Sequence, residues 1–136
     1  MYLYIEENTY NNIMDTVGAV SPETGGIVGG NDGVITNFYY DINARNEEYT
    51  YTPSLDVNKV IREWSQYGIE FMGIIHSHPV DRQSLSSADI RYAHQIMQLN
   101  GLKSIYFPLV IPEVNKMIIY CVDARKAIIE KIFMKK

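Results

Sequence analysis

Apolar positions along this chain change their period several times, and each change marks an element. Ile13, Met14 and Val17 fall at helical spacing and predict a helix over Asn8 to Val17, which Gly18 helps to end. Ala19 to Gly30 is apolar and rich in glycine. It predicts a strand running into a turn at Asn31-Asp32-Gly33, with Val34 to Ile42 as its antiparallel partner. Behind Thr52-Pro53-Ser54, the residues Leu55, Val57, Val60, Ile61 and Trp64 repeat with a period of about 3.6 and predict a second helix that closes at Gly68. Ile69 to Ile75 predicts a short apolar strand. After a polar loop at Asp81 to Leu85, a third helix is expected from about Ser87 to Asn100, stopped by Gly101. Ser104 to Ile111 and Lys116 to Val122 predict strands split by Pro112-Glu113-Val114-Asn115, and Ala124 to Met134 a final helix or strand. The mixture is an α+β class, with a mainly antiparallel or mixed sheet and helices on its faces.

Length and composition narrow this picture. The 136 residues suit one domain, 1–136, with a proper core. Eleven tyrosines against four phenylalanines and one tryptophan fit half-buried strand positions, with some left over for a contact surface. A net charge of −4 argues against a sequence-independent grip on nucleic acid, because the only basic crowding is the short tail Lys131 to Lys136. No apolar run reaches membrane-spanning length, and Met1 to Glu7 has no basic region of the kind that opens a signal peptide. The lone cysteine, Cys121, has no internal disulfide partner and lies in an apolar run, so it reads as a small buried hydrophobe. Together these features predict a reducing, cytoplasmic setting.

The chemistry concentrates in one place. Two of three histidines stand in His76-Ser77-His78-Pro79, at the end of the strand predicted over Ile69 to Ile75. Residues i and i+2 of a strand project from one face, so both imidazoles can reach one ion, and Pro79 favours an extended His78. Asp89, in Ser86-Ser87-Ala88-Asp89, approaches from the first turn of the third helix. Ser86-x-x-Asp89 is also a capping box, and a ligand role for Asp89 is expected to weaken the reciprocal half of it. Two imidazoles and one carboxylate leave a fourth position for water, as in catalytic rather than structural zinc sites. Such an ion lowers the pKa of its water from ~15.7 to ~7. Glu23, on the glycine-flanked strand, is placed to take that proton and hand it to a leaving amine, because glycines let another backbone come close. Ser86 is a candidate hydrogen-bond donor to the oxyanion.

These residues resemble the signature of the JAMM metalloproteases (also MPN+ or JAB): an upstream Glu, then His-x-His-Pro, then Ser-x-x-Asp. Glu23-Thr24-Gly25-Gly26-Ile27-Val28-Gly29 and Gly73-Ile74-Ile75 resemble the family's flanking segments, and the order of elements matches from about residue 5 to 122. The resemblance implies Zn2+ held by His76, His78 and Asp89, Glu23 as general acid/base and Ser86 supporting the oxyanion. It implies a cytidine-deaminase-like α/β sandwich, a curved mixed sheet flanked by helices. Small versions resemble the prokaryotic JAB branch. There the expected substrate is a ubiquitin-like or sulfur-carrier protein related to ThiS and MoaD, cut after its C-terminal glycine, with an E1-like activating enzyme as a further partner. The run Tyr39-Tyr40-Asp41-Ile42-Asn43 is the expected path of the substrate tail, which would add to a sheet edge.

Other functions fit less well. A non-catalytic MPN-type interaction module usually lacks metal ligands, and this chain has them all. A RadC-like protein linked to DNA repair fits poorly with an acidic chain lacking a helix-hairpin-helix segment. Gly25-Gly26 and Gly29-Gly30 form no phosphate loop, since neither GK[ST] nor GxGxxG is present. His94 points away from the ligand face of its helix, and Asp81 and Arg82 read as loop charges, solvated or touching substrate.

Overall fold

A computed structural model describes residues 2–42, 44–47, 50–125 and 128–136. Chain order is β1 (Leu3–Ile5), α1 (Glu7–Thr16), β2 (Gly25–Asn31), β3 (Val34–Tyr40), β4 (Arg45–Glu47), β5 (Thr50–Thr52), α2 (Asp56–Gln66), β6 (Glu70–Ser77), α3 (Ser87–Asn100), β7 (Ser104–Ile111), β8 (Lys116–Asp123), β9 (Ile128–Lys131) and β10 (Phe133–Lys135). Eight strands form one mixed sheet in the order β10-β1-β3-β2-β6-β7-β8-β9, and β4 and β5 form a separate hairpin. The α+β architecture expected from the sequence is the one observed.

Local chemistry explains most boundaries. Asp32 and Gly33 take positive φ, 54° and 76°, as the tight β2–β3 hairpin requires. Gly101, at φ 64°, ends α3 in the left-handed conformation. A methyl group at Gly26 would run into the Tyr39 carbonyl, so the close approach expected of the glycine-rich strand is present.

One expectation needs correction, and two points were left open by the sequence. The glycine-rich strand begins at Gly25, not Ala19: Val17–Ala19 is a turn of 3-10 helix, and Glu23 lies in the bend before the strand. Pro22 has no N–H to give to a ladder. The last segment is strand on both sides of Ile132, with residues 126–127 outside the described set. The short strands β1, β4 and β5 carry too few residues to show a period, and none was expected.

The sheet is coated on both faces. Ile74 and Ile75 are successive residues of β6 and point to opposite sides. Ile75 joins Leu3, Ile5, Val28, Ile35 and Val110 around Ile13 and Val17 at the α1 end. Ile74 packs instead with Ile105, Phe107 and Val122 against Ala93, Ile96 and Met97 of α3. Trp64 of α2 covers Gly29 on that second face.

Curvature follows from the C-terminus. β9 and β10 occupy opposite ends of the strand order, yet only Ile132 separates them. One intervening residue spans at most about 7 Å between flanking Cα atoms. The two ends of the sheet therefore come together at this residue, which requires the sheet to curve.

Candidate metal centre

β6 delivers the two histidines. His76 is in its ladder, opposite Gly25 of β2 and beside Leu109 of β7. His78 is one residue past the strand, but its N–H still donates to the Val110 carbonyl at 3.0 Å. The extended geometry thus carries through Ser77, and both rings end on the same side, with their Nε2 atoms 2.8 Å apart. Both are almost wholly buried, and His76 packs edge-on against Phe107.

α3 delivers the carboxylate. Asp89 Oδ2 lies 3.3 Å from His76 Nε2 and 3.4 Å from His78 Nε2. The capping box is complete: Ser86 N–H donates to Asp89 Oδ2 at 2.8 Å, and Asp89 N–H donates to Ser86 Oγ at 3.1 Å. Oδ2 serves both directions, because a carboxylate oxygen has two lone pairs.

Glu23 arrives from the bend before β2. It is 3 % exposed, and its Oε1 is 3.7 Å from His78 Nε2. Ser77, between the two histidines and fully buried, clamps the next residue: Ser77 N–H donates to the Thr24 carbonyl at 2.9 Å, and Thr24 N–H donates to Ser77 Oγ at 3.0 Å. Nothing in the sequence singled out Ser77 for this task, since the pairing spans 53 positions. Every residue expected at the site is therefore brought to it: His76, His78 and Asp89 in one knot, Glu23 at its side, and Ser86 at the rim, exposed.

The electrostatics are compatible with a bound cation. His78 Nδ1 is 2.9 Å from the Arg82 carbonyl oxygen. A carbonyl only accepts, so Nδ1 carries the proton and Nε2 presents a lone pair inward. Burial holds His76 below the usual imidazole range, against the pull of Asp89. Burial pushes His78 the same way, but Asp89 and Glu23 outweigh it and raise its pKa. Burial disfavours charge on Asp89 too, yet the two imidazoles beside it, whenever they carry the additional proton, and the Ser86 N–H hold it far below the ordinary carboxylate range.

The donor set also fits zinc geometrically. Four tetrahedral ligands at about 2.0–2.1 Å stand about 3.3–3.4 Å apart. The two imidazole-to-carboxylate separations, 3.3 and 3.4 Å, match, and the imidazole pair is closer, at 2.8 Å. Glu23, His76 and His78 also form a group whose ligand atoms lie within 4.8 Å of one another. Asp89 approaches both rings more closely than Glu23 approaches His78.

The remaining candidates behave as bystanders. His94 Nε2 sits 3.2 Å from the Asp123 carbonyl oxygen, away from the site. Cys121 is half-buried in β8, and burial raises its thiol pKa. No helix among the described residues is long and apolar enough to cross a membrane.

Comparison with known proteins agrees with this arrangement. The family described as prokaryotic homologs of the JAB domain matches residues 9–126. No protein with a curated description matches. Among solved structures, a solution structure of a protein from Desulfitobacterium hafniense is 17 % identical, with a TM-score of 0.73, over 98 % of this chain and 92 % of that one. A crystal structure of a JAB1/MPN domain protein from Archaeoglobus fulgidus is 13 % identical, with a TM-score of 0.54, over 98 % of this chain and all of that one. A structure described as JAMM, a metalloprotease-like zinc site in the proteasome and signalosome, is 13 % identical, with a TM-score of 0.55, over 98 % of each chain. At these identities the likeness is one of fold. The family match covers most of the sequence, and the chain belongs to the prokaryotic homologs of the JAB domain.

Proposed function

We propose that this protein is a zinc-dependent peptidase or isopeptidase that cuts after the C-terminal glycine of a ubiquitin-like or sulfur-carrier protein. One observation carries the reading: three Lewis-basic atoms converge within 3.4 Å, two of them on buried rings, with a second buried carboxylate 3.7 Å from one of them. Such a convergence is unfavourable without a cation among the donors.

In this reading His76, His78 and Asp89 hold the ion. When bound, it supplies Lewis acidity, which makes a water molecule acidic near neutral pH and polarises the scissile carbonyl. Glu23 Oε1 faces that point and takes the proton of the attacking water, then passes it to the leaving amine. Ser86 Oγ already accepts from Asp89 N–H, so its own O–H is left to donate to the carbonyl oxygen as charge builds there. Burial of Glu23 and both imidazoles strengthens each of these interactions by excluding water.

The substrate class comes from family likeness together with sheet geometry. β3 is an inner strand where Val34 and Ile35 face β1. Beyond Ile35, β1 has ended. From Phe38 to Tyr40 no strand pairs with β3 on the side away from β2, among the described residues. An extended glycine-ended tail added there would run past Tyr39 and Tyr40 toward the metal centre. Asn43, expected on the same path, lies outside the described residues. An E1-like activating enzyme is the natural companion of such a substrate.

The test combines two measurements. Purified protein should carry about one zinc per chain by elemental analysis; less than about a tenth of that after zinc addition counts against the site. The protein is then incubated with a ThiS- or MoaD-like partner bearing a C-terminal extension. Mass spectrometry should show loss of the extension with native protein and an intact partner with Glu23→Gln.

A further inference from the structure

Arg82 lies in the loop between the second histidine and α3, where its sequence context suggests a loop charge, solvated or touching substrate. The structure gives it two contacts with the centre. The Arg82 N–H donates to the Pro79 carbonyl at 3.0 Å, closing a tight turn. That turn brings the Arg82 carbonyl to His78 Nδ1, at 2.9 Å. The side chain then runs the other way, and its Nη2 lies 3.6 Å from Glu23 Oε2.

The two oxygens of Glu23 thereby face different partners. Oε2 faces the guanidinium, and Oε1 faces the inner nitrogen of His78. The terminal torsion of a glutamate is broad and close to two-fold, so backbone placement alone does not choose an orientation. Ser77 fixes the backbone beside Glu23 by clamping Thr24, but it does not touch the carboxylate among the described contacts.

We propose that Arg82 is a positioning residue: its guanidinium holds one oxygen of Glu23 so that the other stays aimed at the reaction point. The inference rests on Glu23 being the proton carrier. It separates two functions of one residue. The carbonyl that orients His78 belongs to the backbone and survives substitution; the guanidinium that orients Glu23 does not. Losing the side chain should therefore affect turnover and spare metal binding.

Arg82→Ala and Arg82→Lys are compared with native protein and Glu23→Gln in the zinc-loaded form. For Arg82→Ala, zinc affinity by chelator competition should stay within about threefold of native, and kcat should fall at least about tenfold with KM nearly constant. Lysine restores the charge without the planar fork, so Arg82→Lys should recover part of the loss. A second readout needs no turnover. In a double-mutant cycle on urea unfolding of the metal-free protein, the effects of Arg82→Ala and Glu23→Gln on the unfolding constant should depart from multiplicativity by at least about fivefold.

Four results would overturn the proposal: native kcat in Arg82→Ala beside an inactive Glu23→Gln; zinc affinity falling in step with kcat; a raised KM at constant kcat, which marks a substrate contact; or unfolding effects that simply multiply. Native-rate cleavage by Glu23→Gln is a different failure. It removes the peptidase mechanism itself, and with it any part for Arg82 in turnover.

Discussion

Two buried polar clusters in this protein are built on opposite rules. At the end of β3, Asp41 is 3 % exposed and has Ser54 against both carboxylate oxygens: the Ser54 N–H donates to Oδ2 at 2.8 Å and the Ser54 hydroxyl to Oδ1 at 2.5 Å. Donors meet acceptors, and the Ser54 oxygen in turn accepts from Asp56 N–H at the start of α2. At the end of β6, atoms able to ligate a metal ion meet one another. His76 Nε2, His78 Nε2 and Asp89 Oδ2 crowd one point, and His76 Nδ1 has no hydrogen-bond partner among the described residues. The first cluster is satisfied by its own residues and does structural work. The second gathers donor atoms of the kinds a metal ion takes, and Glu23, His76 and His78 together form a group that could hold one.

This contrast can be broken at several points. The largest effect is expected from His78→Ala, which removes a ligand: zinc content should fall below about a tenth of one equivalent, and cleavage with it. Full zinc occupancy in that variant, by elemental analysis, would end the reading of the second cluster as a metal centre. Next comes Glu23→Gln, which keeps the ligands. Cleavage should drop by about 10²–10⁴-fold, the usual worth of a general acid–base group, at unchanged zinc content.

Asp41→Ala probes the other side of the comparison. It strands the Ser54 donors and should cost about 1–3 kcal/mol of stability in urea unfolding, with zinc binding intact. Loss of zinc there would mean that the clusters are not separate in kind.

Protons offer a subtler test in the metal-free protein. Asp89 is held below its ordinary value in the folded state, so the unfolded chain binds its proton first as the pH falls. The stabilisation is present above the unfolded carboxylate pKa, about 3.9, and is lost as pH falls toward the folded value. The unfolding free energies of native protein and Asp89→Asn should therefore draw steadily closer as the pH falls below about 5. Curves that stay parallel over that range would show that Asp89 gains nothing from its imidazole partners. The smallest effect belongs to Ser86→Ala. Loss of the cap should destabilise α3 by about 1 kcal/mol, and turnover should slow at constant zinc content.

Much of the site was legible because its parts obey short-range rules. His76 and His78 share a strand period; Ser86 and Asp89 share a helix N-terminus; Gly33, Gly68 and Gly101 mark the stops where φ must be positive. Glu23 was found through family likeness and glycine content, but its local structure was misjudged, since it lies in the bend before the strand. Arg82 was passed over as a loop charge because nothing near it in sequence shows that the Pro79 turn folds it back on Glu23. The β1–β10 pairing was equally invisible: it joins Leu3 to Phe133, and three-residue strands carry no readable period.

By itself the sequence determined the α+β class, the order of the longer elements and three metal-ligand candidates, since those follow from patterns along short stretches of chain. Only the tertiary structure decided that Gly25 pairs with His76, that Ser77 clamps Thr24, that Asp89 serves both its cap and the imidazoles, and that the two ends of the sheet come together at Ile132. Apart from the Asp89 cap, those contacts join residues too far apart in sequence for a local pattern to link them. Their register is set by which side chains pack on each face of the sheet, a property of the whole assembly that no local window contains.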